Sequence, residues 1–112
     1  MITTHVLDLA RGVPAEEVHV MLEVQHASGE WTLVARGQTD HGGRLMTLTH
    51  GQTLGVGTYR LTFDTAAYHR HHGIAEPFFH DAQIVFSVRN ASEHFHVPLL
   101  LSPFGYSTYR GS

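Results

Sequence analysis

The sequence predicts an all-β protein, a β-sandwich of seven or eight strands with one short helix, in a single domain spanning residues 1–112. Three observations point there. Apolar residues recur with period two in nearly every apolar segment. Turn residues interrupt those segments at intervals of roughly eight to twelve residues, the spacing of a sandwich. Only one stretch, "DTAAYHRHHG", has helical character.

His5 lies at the start of the first strand, between Thr4 and Val6. In "EVHVMLEVQH", Val18, Val20, Leu22 and Val24 share one face and His19, Met21, Glu23 and Gln25 the other, a half-buried antiparallel strand. "SGE" turns the chain into a second strand, "WTLVARGQT". "DHGG" is the next turn, its glycines supplying positive φ, and "RLMTLTH" is predicted to continue as a short strand. Beyond the glycine-rich "GQTLGVG", "TYRLTFD" places Tyr59, Leu61 and Phe63 on one face. In the helical stretch Asp64 or Thr65 can N-cap, Ala66 and Ala67 favour helix, and Gly73 is suited to the C-cap. "AQIVFSVR" and "HFHVPLLL" are two further strands joined by "NASE", and "FGYSTYR" is predicted to be an edge strand.

Composition narrows the function. All seven basic residues are scattered arginines and the net charge is −3, which argues against nucleic acid or an anionic membrane as partner. There is no cysteine, hence no disulfide, thiolate metal site or thiol nucleophile. No apolar run reaches membrane-spanning length, and "MITTHVLDLARG" lacks the basic and apolar regions of a signal peptide, so a cytoplasmic location is expected. The eleven histidines stand out. His94 and His96 are two apart on a strand and share a face, so a third converging ligand would make a zinc site. Lining a solvated face is the plainer alternative. His69, His71 and His72 are expected to form a solvated helix surface. Asp8 either orients a histidine or caps the turn at "LARG". Arg44 lies where a turn becomes a strand, at a sandwich end where loops carry function. No Ser-His-Asp order, GxSxG elbow or phosphate-binding glycine loop is present.

Three motifs in order, "THVLDLARGVPA", "GQTDHGGR" and "HVPLLLSPFGYSTYRGS", resemble those of the 5-hydroxyisourate hydrolases, the transthyretin-related enzymes of urate breakdown. The resemblance covers nearly the whole chain. Its most specific piece is the terminal "YRGS", which transthyretin lacks. It implies a transthyretin-like sandwich of two four-stranded sheets and a short helix. It also implies a homotetramer, a dimer of dimers, with sites in clefts that two subunits share. The exposed apolar character expected of "HVPLLLSPFGY" agrees with such an interface. The resemblance assigns catalytic roles to His5, Arg44 and His96, and substrate binding to Tyr109, Arg110, Gly111 and Ser112, with no metal or other cofactor. It implies hydrolysis of the cyclic amide of 5-hydroxyisourate to 2-oxo-4-hydroxy-4-carboxy-5-ureidoimidazoline, on the route from urate to allantoin. Two departures, Gly42 where an Asp is expected and His80-Asp81 in place of Pro-Glu, fall outside the assigned positions. A non-catalytic carrier of small aromatic ligands and a zinc-dependent hydrolase are the alternatives.

Overall fold

Two sheets face each other in a computed structural model that describes residues 1–112. One holds β1 (Ile2–Asp8), β2 (Val13–Pro14), β5 (Arg44–Leu45), β8 (Phe95–Ser102) and β9 (Gly105–Thr108). The other has the order β4 (Trp31–Gln38), β3 (His19–Gln25), β6 (Gly57–Phe63), β7 (Ala82–Val88). A single helix, α1 (Thr65–His71), follows β6. The first sheet runs β2-β1-β8-β9 and gains a fifth member because the two-residue β5 also pairs with β1. No helix is long and apolar enough to cross a membrane.

The alternation in the sequence becomes the core. Val20, Leu22, Tyr59, Leu61 and Phe63 from one sheet meet Ile2, Val6, Val97, Leu99 and Leu101 from the other, all buried. Truncating one of the larger aliphatic side chains to alanine costs about 2–5 kcal/mol, because the lost transfer energy adds to a cavity. Asp64 caps α1 through its side chain, which accepts from Ala67 N at 3.1 Å. The cap at the other end falls on His72, and Gly73 takes the positive φ just beyond it.

The pairing that matters most for function is parallel. β1 and β8 run side by side in register, Thr3 against His96, His5 against Pro98 and Leu7 against Leu100. Alternation then sends Thr3, His5 and Leu7, with His96, Pro98 and Leu100, to the outer face of this sheet. β5 adds Arg44 opposite His5 on the same face.

Three expectations need correction. "RLMTLTH" stops being a strand at Leu45, since residues 47–50 close a turn, and the Thr49 hydroxyl takes the Ile2 N–H at 3.3 Å in place of a ladder partner. His69 is buried against the sandwich, not solvated, while His71 is exposed and His72 half-buried. Most of "HVPLLLSPFGY" is interior: Val97, Leu99 and Leu101 belong to the core, and the apolar exposure is concentrated on Phe104. Asp8 caps the turn. Its Oδ1 accepts from Arg11 N at 3.0 Å and its Oδ2 from the Tyr68 hydroxyl at 2.7 Å, tying β1 to α1. Burial, reinforced by the Asp8 carboxylate, pushes the Tyr68 hydroxyl up to about 12.

Candidate active site

The "DHGGR" turn presents Arg44. Asp40 Oδ1 accepts from Gly42 N and Arg44 N, each at 2.9 Å, and Asp40 N donates to Arg44 O at 2.8 Å. Gly43 sits at φ +76°, and a Cβ there would lie 2.4 Å from Val6 O, so only glycine lets the turn press onto β1. Gly42 has no such constraint. Its bare Cα faces the Arg44 guanidinium, with Nη1 3.1 Å from where a Cβ would be. Arg44 is exposed and makes no ion pair, which leaves its guanidinium available on the outer face.

Each imidazole is fixed through one ring nitrogen. His5 Nε2 lies 2.9 Å from Gly42 O, and because a carbonyl only accepts, that nitrogen carries the proton and Nδ1 keeps the lone pair. His96 is held through Nδ1, 2.8 Å from Thr3 Oγ1, leaving Nε2 unengaged. Burial, then the charges of His94, His5 and Arg44, lower the basicity of His96 below the ordinary 6.5. The ring is therefore neutral and able to accept a proton at neutral pH.

The tail completes the face. Pro98 has no N–H to give the β9 side, and Thr108 Oγ1 caps the Pro98 carbonyl at 2.7 Å. The β8–β9 ladder ends at Leu99–Thr108, and the chain returns through a single bridge, with Gly111 N donating to His96 O at 2.8 Å. The His96 ring packs over Gly111: a Cβ there would lie 2.7 Å from His96 Cδ2. Residues 109 and 110 lie between these contacts, in register with Pro98 and Val97 but outside the ladder. Arg110 turns away, 4.7 Å over the Phe95 ring and 3.3 Å from Glu93 Oε1. Within one protomer, then, His5, Arg44, His96 and Gly111 come together, whereas Arg110 and the exposed Tyr109 border a groove beside Phe86 and Phe95 at the sandwich edge.

Thr3 is the residue that sequence reasoning missed. Its fully buried hydroxyl lies 2.8 Å from both His96 Nδ1 and His94 Nε2. "TTHV" reads locally as strand filler, and only the register of β1 against β8 reveals the contact. The same geometry turns the His94 and His96 nitrogens onto a hydroxyl, and no group of three His, Asp or Glu side chains is placed to hold an ion. The third ligand that a zinc site requires does not converge. None of the five main cavities of the protomer includes His5, Arg44 or His96, so the cluster lies on an open sheet face.

Fold and site together define a transthyretin-like sandwich that carries imidazoles and a free guanidinium on the outer face of one sheet. The chain belongs to the HIUase/Transthyretin family, whose model matches residues 2–111. It is 41% identical to a probable 5-hydroxyisourate hydrolase of Caenorhabditis elegans, over 99% of this chain and 81% of that protein. It is 45% identical to a 5-hydroxyisourate hydrolase of Caulobacter vibrioides, over 99% and 97% of the two chains. Among solved structures, sea bream transthyretin in complex with thyroxine superposes with a TM-score of 0.91 at 36% identity, covering 98% of this chain and 93% of that one.

Proposed function

We propose that this protein is a 5-hydroxyisourate hydrolase, opening the cyclic amide to give 2-oxo-4-hydroxy-4-carboxy-5-ureidoimidazoline. The observation that carries the reading is the unpaired Arg44 beside two imidazoles that each keep one ring nitrogen free. His96 Nε2 takes a proton from water as the oxygen adds to the ring carbonyl. Arg44 holds the developing oxyanion, a role worth roughly 2.7–4 kcal/mol for a well-placed donor. The C–N bond then breaks and the proton passes to the leaving nitrogen, with acid–base help typically about 10²–10⁴-fold. His5, oriented by Gly42 O, positions the substrate or water through Nδ1. Gly111 supports the His96 ring, and Ser112 follows it as a further substrate-binding group.

The flat face becomes a cleft in the proposed homotetramer, where a second subunit closes over it. Two features support that assembly. The edge strands β7 and β9 lack a partner on one side, and Phe78 and Phe104 are 70% and 80% exposed. Tyr109 and Arg110, directed to the sandwich edge, would act at such a junction rather than on their own protomer's His96.

A carrier function is the second reading, favoured by the superposition on a thyroxine-binding neighbour. A carrier of apolar ligands gains nothing from desolvating an arginine and two imidazoles, so the hydrolase reading stands ahead. The deciding experiment generates 5-hydroxyisourate in situ and follows its ultraviolet absorbance. Accelerated decay is expected with this protein, and decay at the spontaneous rate would leave the carrier.

A further inference from the structure

We propose that Thr3 sets the tautomer of His96 and joins it to His94 in a proton relay, His96 Nδ1 to Thr3 Oγ1 to His94 Nε2, that opens to solvent at His94. The inference rests on the hydrolase reading and assigns Thr3 and His94 as positioning groups behind the base.

The Thr3 hydroxyl is fully buried and lies 2.8 Å from each of two ring nitrogens, with no other partner. It has one proton, so it donates to one imidazole and accepts from the other. If it donates to His94 Nε2, His96 must present Nδ1–H, and its lone pair then sits on Nε2, toward the face shared with Arg44. If it donates to His96 Nδ1, the proton of His96 moves to Nε2 and the base is off. The proton on His94 Nε2 chooses between these arrangements. A bare His94 Nε2 accepts from Thr3 and switches His96 on, whereas a protonated Nε2 donates to Thr3 and switches it off.

The same chain can carry the transferred proton. As water gives its proton to His96 Nε2, the Nδ1 proton moves to Thr3 Oγ1 and the threonine proton to His94 Nε2. Hydroxide has added to the carbonyl, the oxyanion bears one negative charge and His94 one positive charge. When His96 Nε2–H protonates the leaving nitrogen, the relay runs back and both imidazoles return to their starting tautomers. Placing the cation on His94 suits the surroundings. His96 faces His5 and Arg44 from β1 and β5, and it is only partly exposed, while His94 is exposed to water. Glu93, next to His94 in the chain, is engaged by Arg110, so no carboxylate competes for the histidine.

The test uses the full-length protein with Thr3→Val, Thr3→Ser and His94→Ala. Thr3→Val keeps the shape of the side chain and removes only the hydroxyl. It is expected to lower kcat about 10–100-fold, the lower part of the acid–base range, with KM changed by less than about twofold, while Thr3→Ser restores most of the rate. His94→Ala is expected to cost less than Thr3→Val, since water can replace an exposed end of the relay. Nitrogen-15 NMR of the rings at about pH 8, where ordinary imidazoles are neutral, supplies a readout that does not need turnover. His96 should carry its proton on Nδ1 in the natural protein and on Nε2 in Thr3→Val. An unchanged tautomer in Thr3→Val, an unchanged kcat, or a loss that serine fails to rescue would overturn the relay. If the natural protein leaves 5-hydroxyisourate untouched, the hydrolase reading falls, and the tautomer comparison still decides whether Thr3 governs His96.

Discussion

On the outer face of the β4-β3-β6-β7 sheet, Arg60 pairs with Glu23 at 2.7 Å and lies 4.3 Å over the Trp31 ring. On the outer face of the other sheet, Arg44 stands beside His5 and His96 with no carboxylate. Both arginines are on strands next to an inward-facing apolar row, and both are held in register by backbone pairing. The first has its charge consumed within the protomer and gives a stable surface. The second keeps its donors hydrated on an open face and available to a ligand's anion or oxyanion. An unpaired arginine beside two imidazoles distinguishes the proposed working face from a supporting one.

Breaking the working face should have the largest effect. His96→Ala and Arg44→Ala are each expected to depress kcat by roughly 10²–10⁴-fold, with circular dichroism and Tm close to those of the natural protein, because neither side chain belongs to the core. Arg60→Ala, its counterpart on the other face, should leave kcat unchanged. Equal losses from Arg60→Ala and Arg44→Ala would erase the distinction.

A subtler break comes from Gly111→Ala. The added Cβ would fall 2.7 Å from His96 Cδ2 and must push the ring aside. Misplacement of a catalytic group by about 1 Å can cost about 10²-fold, so a kcat loss of about 10–100-fold with little change in Tm is expected. Normal kinetics in this variant would mean that His96 need not sit where the tail holds it.

On the supporting face, Glu23→Gln removes a charge-assisted pair whose side chains are only 13% and 23% exposed. It should lower stability by about 1–2 kcal/mol, a partly screened charged hydrogen bond, and leave turnover alone. Denaturant unfolding reads the first and the ultraviolet assay the second.

The smallest effect concerns acid. Burial lowers both His69 and His96 below the ordinary 6.5. As pH falls through that value, the unfolded chain binds protons that the folded chain refuses, so stability is present above about pH 6.5 and declines below it. His69→Gln should flatten the fall of Tm between about pH 7 and about pH 5 without altering the kcat ratio between variants of the working face. A slope identical to that of the natural protein would show that His69 titrates alike in both states.

Much of this comparison is legible in the sequence. Period-two alternation gives the core rows on β3 and β6, and Asp64 with Gly73 brackets α1. The motifs around His5, Arg44 and His96 identify three groups that the structure places on one face. What stays hidden depends on pairings between distant segments. Thr3 gains its meaning from a partner 93 residues away, and no local period reports that register. His69 reads as part of a polar helix because burial is decided by the sandwich beneath it. Arg110 reads as one more residue of the tail motif, yet its guanidinium is held over the Phe95 ring and beside Glu93, partners that no local pattern announces. "RLMTLTH" alternates well enough for a strand, yet Thr49 spends its hydroxyl on Ile2 and the strand ends at Leu45.

The parallel pairing of β1 with β8 has a consequence for biosynthesis. Parallel neighbours require a long crossover, and here almost the whole sandwich is made between the two strands. At a translation rate of about 5–20 residues per second, roughly 5–20 s separate the emergence of His5 from that of His96. Throughout that interval β1 lacks its main partner, and Ile2 and Val6, fully buried in the finished fold, have no second sheet edge to lie against. The first strand made is thus among the last to be secured, and a nascent chain has half an active face until β8 has left the ribosome.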